Sequence, residues 1–210
     1  MADLKALGEA VIKGDQKKAV ELTKQALAEG VNPGVVLEKG LISGMNVVGV
    51  RFKANEVYIP EVLISARAMK MAMEILAPKL SEAGIKPLAK VMIGTVVGDL
   101  HDIGKNLVIM MWKGAGFEVT DIGIDVPPEK FVEQARATGA QVIGMSALLT
   151  TTMPALDTTL KAMRKAGVTA KVVVGGAPVT QAYADKIGAD GYAADAASAV
   201  DIVKSLLKLN

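Results

Sequence analysis

Apolar residues follow two different periodicities along the chain, and the change falls near residue 85. Up to about residue 84 they recur at the i, i+3, i+7 spacing of helices, as in the series Leu4, Leu7 and Val11. After that point, short β-branched runs alternate with helical segments. The pattern therefore predicts two domains, a helical one over residues 1–86 and an α/β one over residues 87–210.

Four helices are predicted in the first part. Gly14-Asp15 separates the first two, with Asp15 as the N-cap of the second, and Asn32-Pro33-Gly34 begins the third. Pro60 suits the first turn of a fourth helix, which Pro78 is expected to kink or end early. Short links between four helices favour a compact antiparallel bundle.

The predicted fourth helix carries large apolar side chains on one face. These residues, at helical spacing, are Met69, Met73, Leu76 and Leu80. Such a face is typical of a helical core that methionine helps to fill, and the alternative is that part of it lines a soft apolar pocket.

The second part alternates predicted strands and helices after a link over residues 81–87. Strand-like runs occur at residues 91–97, 117–122, 142–145, 171–174 and, more weakly, 191–193. Helical segments lie between and after them, at about residues 103–115, 128–138, 153–166, 179–187 and 196–208. This alternation predicts a Rossmann-like parallel sheet covered on both faces, and right-handed crossovers favour the flavodoxin-type strand order 2-1-3-4-5.

Composition narrows the class of protein. The 210 residues carry a net charge of +2, which argues against an electrostatic nucleic-acid binder, and no apolar run approaches the length of a membrane span. The first five residues lack the features of a secretory signal, so a cytoplasmic protein is expected. Because the chain has no cysteine, disulfides and cysteine-ligated iron–sulfur clusters are excluded.

The one histidine of the chain lies in a position where α/β proteins bind ligands. His101 follows the first strand-like run of the second part, and such a loop opens on the crevice at the carboxyl edge of a parallel sheet. Asp99 stands two residues before it, and a carboxylate often binds the second nitrogen of a metal-ligating imidazole. One histidine without cysteine cannot build a tetrahedral zinc site, so the other ligands of any metal at His101 are expected from a cofactor. An ordinary surface histidine is the alternative.

Two further loops at the same predicted edge are rich in hydroxyl groups and glycine. Ser146 and Thr150-Thr151-Thr152 follow the third strand, and Gly175-Gly176 follows the fourth. Together they predict a narrow, uncharged slot lined by hydrogen-bonding groups, with a simple helix cap and a tight turn as the alternative. Neither the P-loop nor the dinucleotide-binding glycine motif is found, and the first loop lacks the acidic cluster of response regulators.

Taken together, the three loops resemble the cobalamin-binding signature D-x-H-x-x-G, S-x-L, G-G. In this chain the signature reads Asp99-Leu100-His101-Asp102-Ile103-Gly104, then Ser146-Ala147-Leu148, then Gly175-Gly176. A helical bundle followed by a Rossmann-like domain is similar to the small corrinoid proteins of methyltransferase systems and to the cobalamin-binding region of methionine synthase. The resemblance covers essentially the whole chain.

The resemblance implies a role for each of the three loops. His101 would be the lower ligand of the cobalt in the base-off, His-on mode, Asp99 would hydrogen-bond its imidazole, and Thr152 falls where the family extends this relay with a hydroxyl. The loop implied to contact the cofactor comprises Gly98, Asp99, Leu100, His101, Asp102, Ile103 and Gly104. The residues implied for the displaced nucleotide tail are Ser146, Leu148, Thr150, Gly175, Gly176 and Ala196.

In the helical part, the resemblance implies a cap that shields the reactive face of the corrin from water and oxidants. Phe52, Ile59 and Val62 match the cap residues, and Glu38 falls at a family cofactor contact. The implied cofactor is cobalamin, as methylcobalamin or cob(I)alamin, or a related corrinoid. In such proteins the cofactor supplies the chemistry, and the protein supplies binding, orientation and electronic tuning.

The chain is therefore expected to carry a methyl group rather than to act as a stand-alone enzyme. It has neither the cysteines nor the second histidine of a zinc site that would activate a thiol acceptor. The implied partners are a substrate-specific methyltransferase, a second methyltransferase that serves an acceptor such as tetrahydrofolate or a thiol coenzyme, and a reductive activase. Binding to nucleic acid or to a membrane is not expected. Methylamines, methanol, glycine betaine and aryl methyl ethers all remain open as donors.

Three other functions use similar loops. A cobalamin-binding sensor or regulator is the main alternative, but it would need an output module, and none is evident in the sequence. A mutase-type cobalamin subunit normally lacks a helical region such as residues 1–84. A flavin-binding protein would need aromatic side chains near the loops, where Trp112 and Tyr183 are poorly placed.

Overall fold

The chain forms two compact units in the computed structural model, which describes residues 2–209. One unit comprises the residues up to Pro87 together with Gly114–Gly116, and the other comprises Leu88–Lys113 and the residues from Phe117 onward. Helices form the first unit, and strands alternate with helices in the second. The predicted α/β class with an N-terminal helical region is confirmed, whereas a division into functional domains after residue 86 stays a prediction.

The helical unit has the four predicted helices. They are α1 (Leu4–Ile12), α2 (Gln16–Ala28), a continuous run of α3 (Pro33–Val35), a π-helical segment (Val36–Ile42) and α4 (Ser43–Lys53), and finally α5 (Ile59–Glu82). The predicted N-cap of α2 is present, because the carboxylate of Asp15 accepts a hydrogen bond from the N–H of Lys18 at 3.0 Å. Within residues 2–209, no helix combines the length and the apolar character needed to cross a membrane.

Three details of the helical unit differ from the sequence prediction. Helix α5 continues through Pro78 to Glu82, so an early end at this proline is wrong, while a kink there stays a prediction. The proline is tolerated because it and Glu74 are exposed, and the carbonyl that loses its partner can bind water instead. The link between the two parts consequently begins at Ala83 and not at residue 81. The π-helical segment was not predicted, since one widened stretch leaves no clear mark in apolar periodicity.

The core of the helical unit is aliphatic. Its most deeply buried large side chains include Leu7, Leu41, Met45, Met69 and Leu76. Most of the methionine and leucine face of α5 therefore fills the core, as predicted, although Met73 is only partly buried. Glycines let the third helical run approach α1 closely, because a Cβ on Gly44 would lie 2.7 Å from the carbonyl oxygen of Gly8.

The second unit has the predicted alternation. Its strands are β1 (Lys90–Thr95), β2 (Glu118–Asp121), β3 (Val142–Ser146), β4 (Lys171–Gly175) and β5 (Gly191–Ala193). Its helices are α6 (Ile103–Gly114), α7 (Pro128–Thr138), α8 (Met153–Lys165), α9 (Gln181–Ile187) and α10 (Ala196–Leu207). All strand pairs are parallel, in the order β2-β1-β3-β4-β5, which confirms the flavodoxin-type order.

Helices cover both faces of this sheet. On one face, α7, α8 and α9 enclose a core that contains Phe131 and Ile143. On the other face, the indole of Trp112 in α6 is buried, and its Nε1 donates a hydrogen bond to the carbonyl of Ala199 in α10 at 3.1 Å. Gly144 leaves room for that ring, because a Cβ there would lie 2.8 Å from it. Since all five strands are parallel, the loops that follow them lie along one edge of the sheet.

A charged cluster stabilises the opposite edge of the sheet. The carboxylate of Asp190 accepts hydrogen bonds from Arg164 at 2.6 Å, from Lys171 at 2.9 Å and from the N–H of Val172 at 2.8 Å. Burial alone would raise the pKa of this carboxyl, but the hydrogen bonds from Lys171 and Val172 and the charge of Arg164 lower it below the ordinary value.

We predict that Asp190→Asn lowers the free energy of unfolding of the α/β unit by roughly 1–2 kcal/mol at neutral pH. Because the pKa of Asp190 is lower in the folded chain than in the unfolded chain, its contribution is complete above about pH 4 and is lost as the pH falls below that value. The stabilities of wild type and variant should therefore converge on acidification. Urea unfolding followed by the fluorescence of Trp112, the single tryptophan, measures this, with the exposed Asp185→Asn as control. A difference that is as large at pH 3 as at pH 7 would contradict the prediction.

Candidate functional site

A buried carboxylate joins two loops at the carboxyl edge of the sheet. The side chain of Asp99, in the loop after β1, has no exposed surface. Its Oδ1 accepts hydrogen bonds from the N–H of His101 at 3.0 Å and from the Nδ1 of His101 at 2.7 Å. Its Oδ2 accepts a hydrogen bond from the N–H of Leu148 at 2.7 Å and lies 2.7 Å from the hydroxyl oxygen of Thr152. Asp99 thus brings together His101 and the loop after β3.

The imidazole of His101 is held at one nitrogen only. An ionised carboxylate can only accept hydrogen bonds, so Nδ1 carries the hydrogen that points to Asp99. In the neutral ring the lone pair is then on Nε2, which has no hydrogen-bond partner among residues 2–209. The side chain of His101 is 49% exposed. This is the tautomer in which a histidine can bind a metal through Nε2.

Thr152 does not cap the helix that it precedes. It is the N-cap residue of α8, yet its side chain makes no capping hydrogen bond. Its hydroxyl oxygen lies 2.7 Å from Asp99 Oδ2 and 2.9 Å from the carbonyl oxygen of Leu149. One hydrogen serves one acceptor at a time, and the charged carboxylate is the stronger acceptor. The simple helix-cap interpretation of this hydroxyl is therefore wrong.

Burial and hydrogen bonding act on Asp99 in opposite directions. Loss of solvent raises the pKa of its carboxyl, but the hydrogen bonds from Leu148, Thr152 and His101 outweigh this effect and hold the pKa well below its ordinary value. Asp99 is therefore ionised at neutral pH. The fold tolerates this buried charge because both carboxylate oxygens have donors.

Gly175 at the end of β4 and Gly176 directly after it lie close to neighbouring backbone. Gly176 has a φ of +129°, and a Cβ on it would overlap the carbonyl group of Ala147. A Cβ on Gly175 would lie 3.0 Å from the carbonyl oxygen of Ala193. The N–H of Ala147 donates a hydrogen bond to the carbonyl of Gly175 at 3.2 Å. The pair therefore brings the loops after β3 and β4 into close contact in the protein without a ligand.

Several other predicted site residues leave this edge open. Leu100 and Ile103 expose 67% and 72% of their surface. Gly104, in the first turn of α6, has no atom within 4 Å of a Cβ built on it. The hydroxyls of Ser146 and Thr150 make no hydrogen bond with the part of the chain that the structure describes. The edge that carries His101 thus presents free apolar and hydroxyl-bearing surface.

Other predicted contacts are engaged within the protein. The carboxylate of Asp102 accepts a hydrogen bond from Asn106 at 3.0 Å. The N–H of Gly98 donates to Asp125 at 2.7 Å. Ala196, the first residue of α10, is only 7% exposed. Gly98 and Asp102 are nevertheless exposed, whereas Ala196 is buried and offers little surface to a ligand.

The predicted cap residues lie in the helical unit. Phe52, near the end of α4, is partly buried, Ile59 at the start of α5 is exposed, and Val62 is fully buried. Glu38 is exposed within the π-helical segment, and π-helical turns often mark functional sites. In this conformation Val62 offers no surface to a ligand. Contacts of the four residues with a cofactor stay a prediction.

Two polar residues that the sequence did not single out hold the loop around His101. The hydroxyl of Thr95, buried at the end of β1, donates a hydrogen bond to the carbonyl of His101 at 2.9 Å. Asp125, in the loop after β2, contacts both Gly98 and Asp99. Apolar periodicity marks Thr95 only as part of a strand. The one available signal for Asp125 was its place at the same edge of the sheet.

A buried lysine fixes the first turn of α6. The Nζ of Lys105 lies 2.7 Å from each carboxylate oxygen of Asp121, at the end of β2, and 3.1 Å from Oδ1 of Asn106. Its side chain is only 2% exposed. The ion pair therefore ties the helix that follows His101 to the neighbouring strand.

Comparison with known proteins agrees with this arrangement. Two family models, both described as a B12 binding domain, match residues 89–201 and residues 4–77. The dimethylamine corrinoid protein 3 of Methanosarcina acetivorans is 45% identical to the chain, over 99% of this chain and 100% of its own length.

Two solved structures have the same fold over nearly the whole chain. A cobalamin-binding protein from Desulfitobacterium hafniense matches with a TM-score of 0.82 and 31% identity, over 98% of both chains. A chain of the methanol:cobalamin methyltransferase complex MtaBC from Methanosarcina barkeri matches with a TM-score of 0.87 and 28% identity, over 96% of this chain and 78% of that chain.

We predict that Asp99→Asn changes the tautomer of His101. An amide nitrogen cannot accept a hydrogen bond, so the donors at one of the two oxygen positions lose their acceptor. Nitrogen-15 NMR of the single histidine at mildly alkaline pH should show the Nδ1–H form in the wild type and a mixed or Nε2–H form in the variant. The unsatisfied donors should also lower the free energy of unfolding by about 1–3 kcal/mol.

Thr152→Val is the matched control for this experiment. It removes one donor to Asp99 and keeps the shape of the side chain, so a smaller loss of stability and an unchanged tautomer are expected. A wild-type spectrum that shows hydrogen on Nε2 would contradict the assignment of the Asp99–His101 pair.

Proposed function

The chain belongs to the corrinoid proteins of methyltransferase systems, and we propose that it carries a methyl group between two methyltransferases with His101 as the lower ligand of cobalt. Its cofactor is cobalamin or a related corrinoid. When bound, the corrinoid supplies a cobalt centre that can take up and release a methyl group. The side chains of the protein supply the lower ligand, its orientation and the exclusion of water.

The arrangement of His101 is the observation that carries this proposal. Its Nδ1 donates to the ionised Asp99, while its Nε2 has no partner within residues 2–209. In the same part of the chain, no three His, Cys, Asp or Glu side chains gather into a group that could hold a metal ion. A metal at Nε2 must therefore bring its other ligands with it, as the cobalt of a corrin does.

The surface on the edge that carries His101 suits a large and mainly apolar group with a polar tail. Leu100 and Ile103 are strongly exposed, and Gly104 lies in space that a side chain could fill without a clash. Since no protein atom requires a glycine at this position, we propose that Gly104 leaves room for the cofactor. The unpaired hydroxyls of Ser146 and Thr150 would serve the tail, and we expect Leu148, Gly175, Gly176 and Ala196 to border it.

Asp99 and Thr152 tune the ligand. By accepting the hydrogen of Nδ1, Asp99 keeps the lone pair on Nε2 and fixes the orientation of the ring. The hydroxyl of Thr152 donates to the other carboxylate oxygen and withdraws part of its charge. The strength of the lower ligand then depends on how strongly Asp99 binds the hydrogen of His101 Nδ1, which the hydrogen bond from Thr152 weakens.

In the helical unit we expect Phe52, Ile59 and Glu38 to contact the cofactor and to shield the reactive face. Ile59 and Glu38 are exposed, and Phe52 is partly buried. Val62, which is fully buried, can take part only if α5 changes its packing.

The donor and partners are inferred from relatives. Relatives that are 45% and 42% identical to the chain are named as corrinoid proteins for dimethylamine and trimethylamine. We propose that a methylated amine is the donor, that a methylamine methyltransferase loads the protein, that a second methyltransferase unloads it, and that a reductive activase restores oxidised cobalt. The final acceptor stays open between tetrahydrofolate and a thiol coenzyme.

We predict that His101→Ala abolishes the base-off, His-on visible spectrum of the protein reconstituted with cobalamin. The variant should either lose the corrinoid or bind it without a protein nitrogen below the cobalt. Thr150→Val, which keeps the imidazole, is the matched control and should retain the His-on spectrum with weaker binding. An identical spectrum for wild type and His101→Ala would remove His101 as the ligand.

We further predict that a dimethylamine or trimethylamine methyltransferase transfers a methyl group from its amine to the cobalt of the reduced, corrinoid-loaded protein. Conversion of the cob(I)alamin spectrum to that of methylcobalamin measures the reaction, and free cobalamin without the protein is the control. Methylation by a methanol-dependent enzyme alone would overturn the donor assignment. Corrinoid binding without methylation by any of these enzymes would favour a sensor instead.

A further inference from the structure

Asp125 adopts a backbone conformation that is rare for a residue with a side chain. Its φ is +51°, and within residues 2–209 only Asn55 and Lys208 are other non-glycine residues with positive φ. This left-handed conformation costs free energy, although aspartate and asparagine tolerate it better than most residues. The side chain is exposed, so core packing does not explain an aspartate here.

Both polar groups of Asp125 contact the loop that carries His101. Its Oδ1 accepts a hydrogen bond from the N–H of Gly98 at 2.7 Å. Its own N–H donates to the carbonyl of Asp99 at 3.1 Å. The next residue, Val126, is buried and forms a bridge with Val96, which anchors the loop to the sheet. Asp125 therefore holds both ends of the Gly98-Asp99 dipeptide against a fixed support.

The dipeptide that Asp125 holds determines where the Asp99 carboxylate lies. Gly98 has a φ of +82°, so the chain turns sharply just before Asp99. The Asp99 carboxylate must reach His101 Nδ1 on one side and Leu148 and Thr152 on the other. A backbone free to rotate at this point would move the carboxylate away from one set of donors.

We infer that Asp125 is a positioning residue, which clamps the Gly98-Asp99 backbone so that Asp99 keeps His101 in its Nδ1–H form. Asp125 acts through Asp99 and makes no hydrogen bond to His101 within residues 2–209. The consequence for cobalt ligation rests on the proposed function, whereas the effect on the tautomer concerns the protein alone.

Two substitutions at residue 125 separate the side-chain contact from the backbone conformation. Asp125→Asn keeps an oxygen that can accept the Gly98 N–H and tolerates a positive φ. Asp125→Gly keeps the backbone conformation and its N–H but removes the acceptor. Lys208→Gly, a glycine substitution at another left-handed residue at the C-cap of α10, controls for the general effect of glycine.

The test compares these variants without cofactor by NMR. In Asp125→Gly, amide hydrogen exchange at Gly98 should be faster by about tenfold, the effect of losing one hydrogen bond, and the nitrogen-15 signals of His101 should show a mixture of tautomers. Asp125→Asn and Lys208→Gly should resemble the wild type in both measurements. Wild-type exchange and tautomer in Asp125→Gly would overturn the inference, and so would equal changes in Asp125→Asn and Asp125→Gly.

A second measurement uses the protein loaded with cobalamin. The fraction with a histidine nitrogen below the cobalt, read from the visible spectrum, should fall in Asp125→Gly and be restored in Asp125→Asn. If wild-type protein itself shows no histidine coordination, the proposed function fails. The NMR comparison of the protein without cofactor then still decides the role of Asp125.

Discussion

One ionised carboxylate without solvent exposure organises the carboxyl edge of the sheet. Burial of Asp99 would be costly if its charge were uncompensated, and the fold meets this requirement with donors from two loops. The same hydrogen bonds that make the charge tolerable also determine the tautomer and orientation of His101. The hydrogen bonds of Asp99 therefore both stabilise the fold and set the tautomer of His101. Because two of the donors come from the loop after β3, that loop also belongs to the environment of the histidine.

Two glycines of this edge, Gly176 and Gly104, differ in whether the backbone needs them. Gly176 is needed by the backbone, because a Cβ would overlap Ala147 and its φ lies outside the range of most residues. Gly104 is not needed by the protein, because nothing lies within 4 Å of a Cβ placed there. The signature that relates this chain to corrinoid proteins thus combines a glycine that the backbone needs with a glycine whose Cβ position is open.

Within residues 2–209, Nε2 of His101 has no hydrogen-bond partner, and we propose that this nitrogen is the one ligand that the chain offers to the cobalt. A single protein ligand suits the proposed role, because a bound corrinoid would supply the other ligands of the cobalt itself. The chain is similar over nearly its whole length both to corrinoid proteins named for methylamines and to a chain of a methanol methyltransferase complex. We therefore propose that the partner enzyme, and not the His101 site, selects the methyl donor.

Apolar periodicity predicted the helices and the strands, because burying an apolar face is a local requirement that each segment shows in its own spacing. The strand order followed from the right-handed crossovers of parallel strands. The motif spacing likewise identified His101 and Asp99, which are close in sequence. Only the tertiary structure decided the rest. The resemblance to corrinoid proteins implied a place for Thr152 in the relay, but only the fold brings its hydroxyl to Asp99 across 53 positions. Thr95 and Asp125, which were not predicted, hold the loop from the ends of other segments. The π-helical segment and the continuation of α5 through Pro78 also escaped prediction. Hydrogen bonds between distant loops depend on how strands align in the sheet, and a one-dimensional pattern does not record which donor meets which acceptor.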